Sequence, residues 1–159
     1  MAGGAADCAH WIRRVARETA IIEFQYKMKL SVKAVANLLA ESLRKYRGVG
    51  LSVGTMVAGF DHISGPSICY VDSEGSCIPG NCFSIGSGSN LAYGILDEKV
   101  EELQGNKNAT LEDAVELALW AIRHATHRDG YSGGFINVFH ITENGHRHIL
   151  LRDSRELQL

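Results

Sequence analysis

A chain of 159 residues, 45% of them hydrophobic, is long enough to bury a core and too short for two full-sized domains. Its formal charge of −2, with basic and acidic residues interspersed, leaves no basic face for nucleic acid and no acidic run of the disordered kind. No apolar stretch approaches the ~20 residues of a membrane span and no signal-peptide pattern opens the chain, so the reading is a protein of the cytoplasm and nucleus.

The elements follow in chain order. From Ala5 to about Lys27, Cys8, Ile12, Val15, Ala16, Thr19, Ile22 and Tyr26 recur at three- and four-residue steps, which predicts an amphipathic helix. Ser31 is a good N-cap for a second helix carrying Val32, Val35, Ala36, Leu39 and Leu43 on one side, with Gly48 as a stop. The pattern then turns to strands: LSVGTMVAGFD, a turn at Ser64-Gly65-Pro66, SICYVD, a hairpin turn at Asp72–Gly75, and CFSIG. LAYGILDEKV resumes helical spacing, and the polar stretch EELQGNKN, residues 101–108, reads as a surface loop. Thr110 caps a further helix ending near His127, with Leu111, Ala114, Val115, Ala118, Ala121, Ile122 and Ala125 as its stripe. GFINVFHI and HRHILL around Glu143-Asn144-Gly145 predict a last hairpin, and residues 153–159 read as a loose tail after a single domain over 1–152. Paired helices and hairpin strands argue for an α+β layered domain with antiparallel sheets.

Cys8, Cys69, Cys77 and Cys82 form no CxxC pair and have no zinc-ligand spacing to histidine, so they read as reduced, mostly buried thiols. Cys8 at a helix start invites a nucleophile reading, but its phase with Ile12 and Val15 puts it on the apolar stripe. His124 and His127 lie one helical turn apart without the Glu of HExxH, so neither a metal nor a cofactor is implied. Three small-residue stretches stand where helices meet strands or loops: Ala2-Gly3-Gly4-Ala5, Gly86-Ser87-Gly88-Ser89 and Asp129–Gly134. Glycine at a helix N-terminus leaves N–H groups to face an anion, so the first two read either as oxyanion or phosphate sites or as tight turns.

MAGGAADC, YRGVGLSVGTM, YVDSEG, FSIGSGSNLAYGILD and HATHRDGYSGG, in this order from Met1 onward, resemble the chymotrypsin-like class of β-type subunits of the eukaryotic 20S proteasome. The resemblance runs to about His140; EELQGNKN looks like an insertion, and residues 146–159 depart from the family ending. It implies the four-layer αββα sandwich of N-terminal-nucleophile hydrolases, here without its first strands, and a threonine-type endopeptidase acting after apolar residues. Gly3 corresponds to the oxyanion N–H, Gly3 and Ala5 to backbone partners of the substrate beside Ala2, and Met1 to an apolar wall of the specificity pocket. Ser87, Asp129 and Ser132 correspond to the groups that support the threonine.

That threonine, by the same resemblance, belongs upstream of Met1, so the chain as written is expected to be inactive. The implied partners are the other α- and β-type subunits, plus a peptide substrate once the site is complete. Two other readings stay open: a non-catalytic interaction protein or degenerate paralogue with exposed apolar surface, and an unrelated small α+β enzyme using the histidines.

Overall fold

The computed structural model describes residues 1–62 and 64–154, which divide into two compact units. The first comprises Met1–Ile85 with Ile141–Gly145, the second Gly86–His140 with the residues from His146 onward.

The first unit begins with a short strand, β1 (Ala2–Gly3), followed directly by α1 (Ala5–Tyr26) and α2 (Val32–Arg44). Lys27 ends α1 in the left-handed conformation, φ 55°. Ser31 caps α2 as predicted, its Oγ accepting the Ala34 N–H at 3.2 Å. Val32, Ala36, Leu39, Ala40 and Leu43 then fall on one face and are all buried. Strands β2 (Val53–Asp61), β3 (Gly65–Val71) and β4 (Cys77–Gly80) form an antiparallel meander, and β1 joins it in the order β1-β2-β3-β4. The register runs Thr55↔Val71 to Asp61↔Gly65 between β2 and β3. Asp72 closes the next turn, its Oδ1 accepting the N–H groups of Glu74 at 2.9 Å and Ser76 at 2.8 Å.

Against this sheet α2 lays Ala36, Leu39, Ala40 and Leu43, meeting Val53, Cys69 and Val71, while α1 adds Trp11 and Val15. Each fully buried leucine contributes roughly 1.5–3 kcal/mol through apolar area removed from water. Cys8 and Cys77 pack at the edge of this cluster as half-buried apolar groups, and burial beside Cys69 pushes the Cys77 thiol up. Thr55 is buried on β2, and among the described residues its hydroxyl has no hydrogen-bond partner. Thr55→Val removes that stranded hydroxyl at nearly constant shape, so stability in chemical unfolding is expected to hold or to rise by up to about 1 kcal/mol. A loss larger than that would show that the hydroxyl has an acceptor.

In the second unit α3 (Ser89–Gly105) packs on α4 (Leu111–Arg128) through Ala92, Ala121 and Ala125, flanked by Leu91, Ile95 and Leu96. Thr110 caps α4 in a capping box: its Oγ accepts the Asp113 N–H, and Asp113 accepts the Thr110 N–H at 2.8 Å. Strands β5 (Phe135–Thr142) and β6 (Gly145–Asp153) form a two-stranded sheet.

Several expectations are corrected. The buried anchor of α1 is Trp11 at 3% exposure, while Ile12 and Tyr26 on the predicted stripe are 52% and 70% exposed. Gly65 and Pro66 belong to the β3 ladder rather than to a turn. The strand expected over Cys82–Gly86 lies earlier, at Cys77–Gly80. Helix α3 continues through Gly105 into the stretch read as a loop. Strand β6 includes Asp153, and the Ser154 N–H donates to Gly134 O at 2.8 Å; the rest of the expected tail, 155–159, lies outside the described residues. Among the described residues no helix is long and apolar enough to cross a membrane.

Candidate active site

In the first unit one cluster of candidate residues follows from two successive glycines. Ala2 and Gly3 pair antiparallel with Gly54 and Val53, and the Gly4 N–H donates to Ser52 O at 3.0 Å. The chain turns at once into α1, whose first helical bond runs from the Cys8 N–H to Gly4 O at 2.9 Å. Gly3 sits at φ +134°, and a Cβ on it would lie 1.9 Å from Ser52 O, so no other residue fits this position without moving the strand. Among the described strands β1 pairs only with β2, which leaves its outer edge open to an added strand. Gly3 therefore stands between an open sheet edge and a helix N-terminus, where backbone N–H groups and the helix dipole favour developing negative charge. Met1 and Gly3 are exposed here, as is Ala5, whereas Ala2 is half-buried.

The second unit holds its own cluster, a carboxylate held by two hydroxyls. Asp129 follows the last turn of α4, its N–H donating to Ala125 O at 2.9 Å. The Ser87 and Ser132 hydroxyls both donate to its Oδ2 at 2.6 Å, and the Tyr131 N–H donates to Oδ1 at 3.2 Å. The Ser132 and Ser87 hydroxyls, and then the Tyr131 N–H, hold the Asp129 carboxyl below its ordinary value against the opposing pull of burial. Each hydroxyl spends its proton on the carboxylate and so turns its oxygen lone pairs outward as acceptors. Ser87 is exposed, and Asp129 and Ser132 are half-buried, so the cluster is open to a ligand.

Gly88 makes this closure possible. A Cβ there would sit 2.9 Å from Ser132 Oγ and 3.1 Å from Asp129 Oδ2. Gly88 is also the N-cap of α3, without a side-chain cap of its own. The sequence points to Ser87, Asp129 and Ser132 one by one, and to Gly88 and Tyr131 only as members of the small-residue stretches 86–89 and 129–134. The signal for Gly88 was the alternation of glycine with serine, which places a residue without a side chain beside each hydroxyl.

Met1, Ala2, Gly3 and Ala5 thus lie together in the first unit, and Ser87, Asp129 and Ser132 meet in the second. Cys8 is packed against the core. Among the described residues no group of three His, Cys, Asp or Glu side chains converges on a common point.

Residues 1–141 match the family model described as "Proteasome subunit". The chain is 45% identical over 155 residues to proteasome subunit beta type-5 of Gallus gallus, covering 96% of this chain and 57% of that protein. It is 46% identical over 157 residues to the subunit of the same name from Spinacia oleracea, covering 99% and 56%. Proteasome subunit beta type-8 of Homo sapiens is 42% identical over 145 residues, covering 91% and 50%. The chain spans about half the length of these curated relatives.

Proposed function

The chain belongs to the proteasome subunit family, with its N-terminal-nucleophile hydrolase fold, and from that premise we propose that it forms the substrate-binding and supporting part of a β5-type core-particle subunit. The reaction is peptide-bond hydrolysis after large apolar residues by a threonine nucleophile. The observation that carries this reading is the open strand β1 running through Gly3 into the N-terminus of α1.

An extended substrate adds to β1 by main-chain hydrogen bonds, with Met1 as an apolar wall for the side chain before the cut. The scissile carbonyl oxygen faces the Gly3 N–H. The threonine hydroxyl attacks the carbonyl carbon and its proton passes to the threonine α-amine, while negative charge collects on the oxygen beside Gly3. Collapse breaks the C–N bond as the amine returns the proton to the leaving nitrogen, and water then hydrolyses the acyl ester. Ser87 and Ser132, held by Asp129, offer the acceptor oxygens that keep the threonine amine oriented. The nucleophile itself matches none of residues 1–159.

The partners on this reading are the α- and β-type subunits of the particle, in cytoplasm and nucleus, with no nucleic acid or membrane. Ile21, Phe24 and Tyr26 in the last turns of α1, with Met28 just beyond it, support it: Phe24 is 78% exposed and Met28 61%, an apolar surface suited to neighbouring subunits.

Expressed with an affinity tag in its own cells, the chain is expected to co-purify with proteasome subunits in particles that cleave an apolar fluorogenic peptide. The 159-residue polypeptide alone is expected to turn over none. Recovery solely as a lone chain, or turnover by the lone chain free of contaminating protease, overturns the reading.

A further inference from the structure

Outside this site the second unit holds a groove that the mechanism does not use. A cleft of about 450 Å³ is lined by Glu116, Leu119, Trp120 and Arg123 of α4 and by Arg152 of β6. A second cleft, of about 250 Å³, continues past Glu116 and Trp120 to Lys99 and Asp113. Trp120 stands between the two, 46% exposed.

The charges are asymmetric along this groove. The larger cleft sets two guanidiniums, Arg123 and Arg152, against one carboxylate, Glu116. Among the described residues neither arginine forms an ion pair, and Arg123 Nε is buried without a hydrogen-bond partner. Two guanidiniums without an ion pair, lining one cleft, suit the two oxygens of a carboxylate. The exposed tryptophan and Leu119 offer an apolar seat beside them. From Asp113 to Arg123 the helix rises roughly 15 Å, the length of about four extended residues. Arg152 lies beyond residues 1–141 that match the family model, whereas Arg123 lies within them.

We propose that this groove binds a short peptide by its free C-terminal carboxylate, held between Arg123 and Arg152, with an apolar last side chain on Trp120. Glu116 repels the carboxylate from the other end and so fixes the direction of the bound peptide.

The test uses the full chain and N-acetyl-Gly-Ala-Leu with a free carboxylate, read by tryptophan fluorescence. Trp11 is buried at 3% exposure, so the response reports Trp120. Saturable binding with a midpoint below about 1 mM is expected, weakened at least about tenfold when the peptide ends in an amide or when Arg152→Gln is introduced. Arg152 is exposed, so that variant keeps the fold. Equal binding of the amide, equal binding of an amidated peptide bearing glutamate, or displacement by acetate at the peptide's own concentration overturns the proposal. So does the absence of a saturable response.

Discussion

Gly3→Ala is expected to detach β1 from its sheet and, in an assembled particle whose subunit also carries the threonine segment, to lower peptidase turnover at that site by about 10³-fold. The new methyl would sit 1.9 Å from Ser52 O, where even a weak C–H···O contact keeps about 3.3 Å. At φ +134° the backbone would be strained as well. No small adjustment relieves an overlap with backbone, so the two residues of β1 leave and the meander β2-β3-β4 stays. The loss is therefore local: the unfolding midpoint moves little, while the Gly4 amide, bonded to Ser52 O at 3.0 Å, loses its protection from hydrogen exchange. Retained protection together with full turnover would rule out Gly3 as the oxyanion position.

Asp129→Asn carries the second large effect, a fall in turnover of about 10²–10³-fold in an assembled particle whose subunit also carries the threonine segment. Asparagine keeps the shape but must place an NH₂ group somewhere. In place of Oδ2 it faces the Ser87 and Ser132 hydroxyls, and in place of Oδ1 it faces the Tyr131 N–H. In the first orientation the hydroxyls must turn to accept and lose their fixed aim; in the second two N–H donors are set against each other, and in both the charge that holds the cluster is gone. The pH dependence separates this from a general packing defect. The folded-state carboxyl lies below its ordinary value, so its contribution to stability is complete above the usual carboxylate range and is lost as pH falls through the lowered value. The stability gap between wild type and variant should thus be constant near neutrality and close on acidification; a gap that is flat down to acid pH would remove Asp129 as the charged centre of the cluster.

What the sequence disclosed tracks local physics. Ser31 and Thr110 announced their helices because a capping hydroxyl acts within three residues of itself, and both caps are present. The face of α1 was harder to phase, since Trp11, Ile12 and Ile21 give the helix apolar residues on more than one side. Strand β4 carries Pro79, which argues against a strand in sequence; as an edge strand paired only with β3 among the described strands, β4 is where a proline is tolerated. Glu101 and Glu102 suggested a loop, yet they are the exposed face of α3, where Lys99 pairs with Glu102 at 2.8 Å. The cluster at Asp129 joins residues 42 positions apart through Ser87, a separation that no spacing rule reaches. It was named only through likeness to a known family, and the part Gly88 plays in letting it close depends on Ser132, 44 positions on in the chain.

The pairing of β1 also sets an order of assembly. Helix α2 and the strands of the meander meet neighbours close in sequence, whereas Ala2 must find Gly54, beyond both helices of the unit. Closing so long a loop for two residues of strand is the slowest and least rewarded step, so β1 docks after the core has formed. The hydrophobic interior of the unit therefore forms before the edge that receives a peptide, and until β1 docks it is β2 that stands at that side of the sheet.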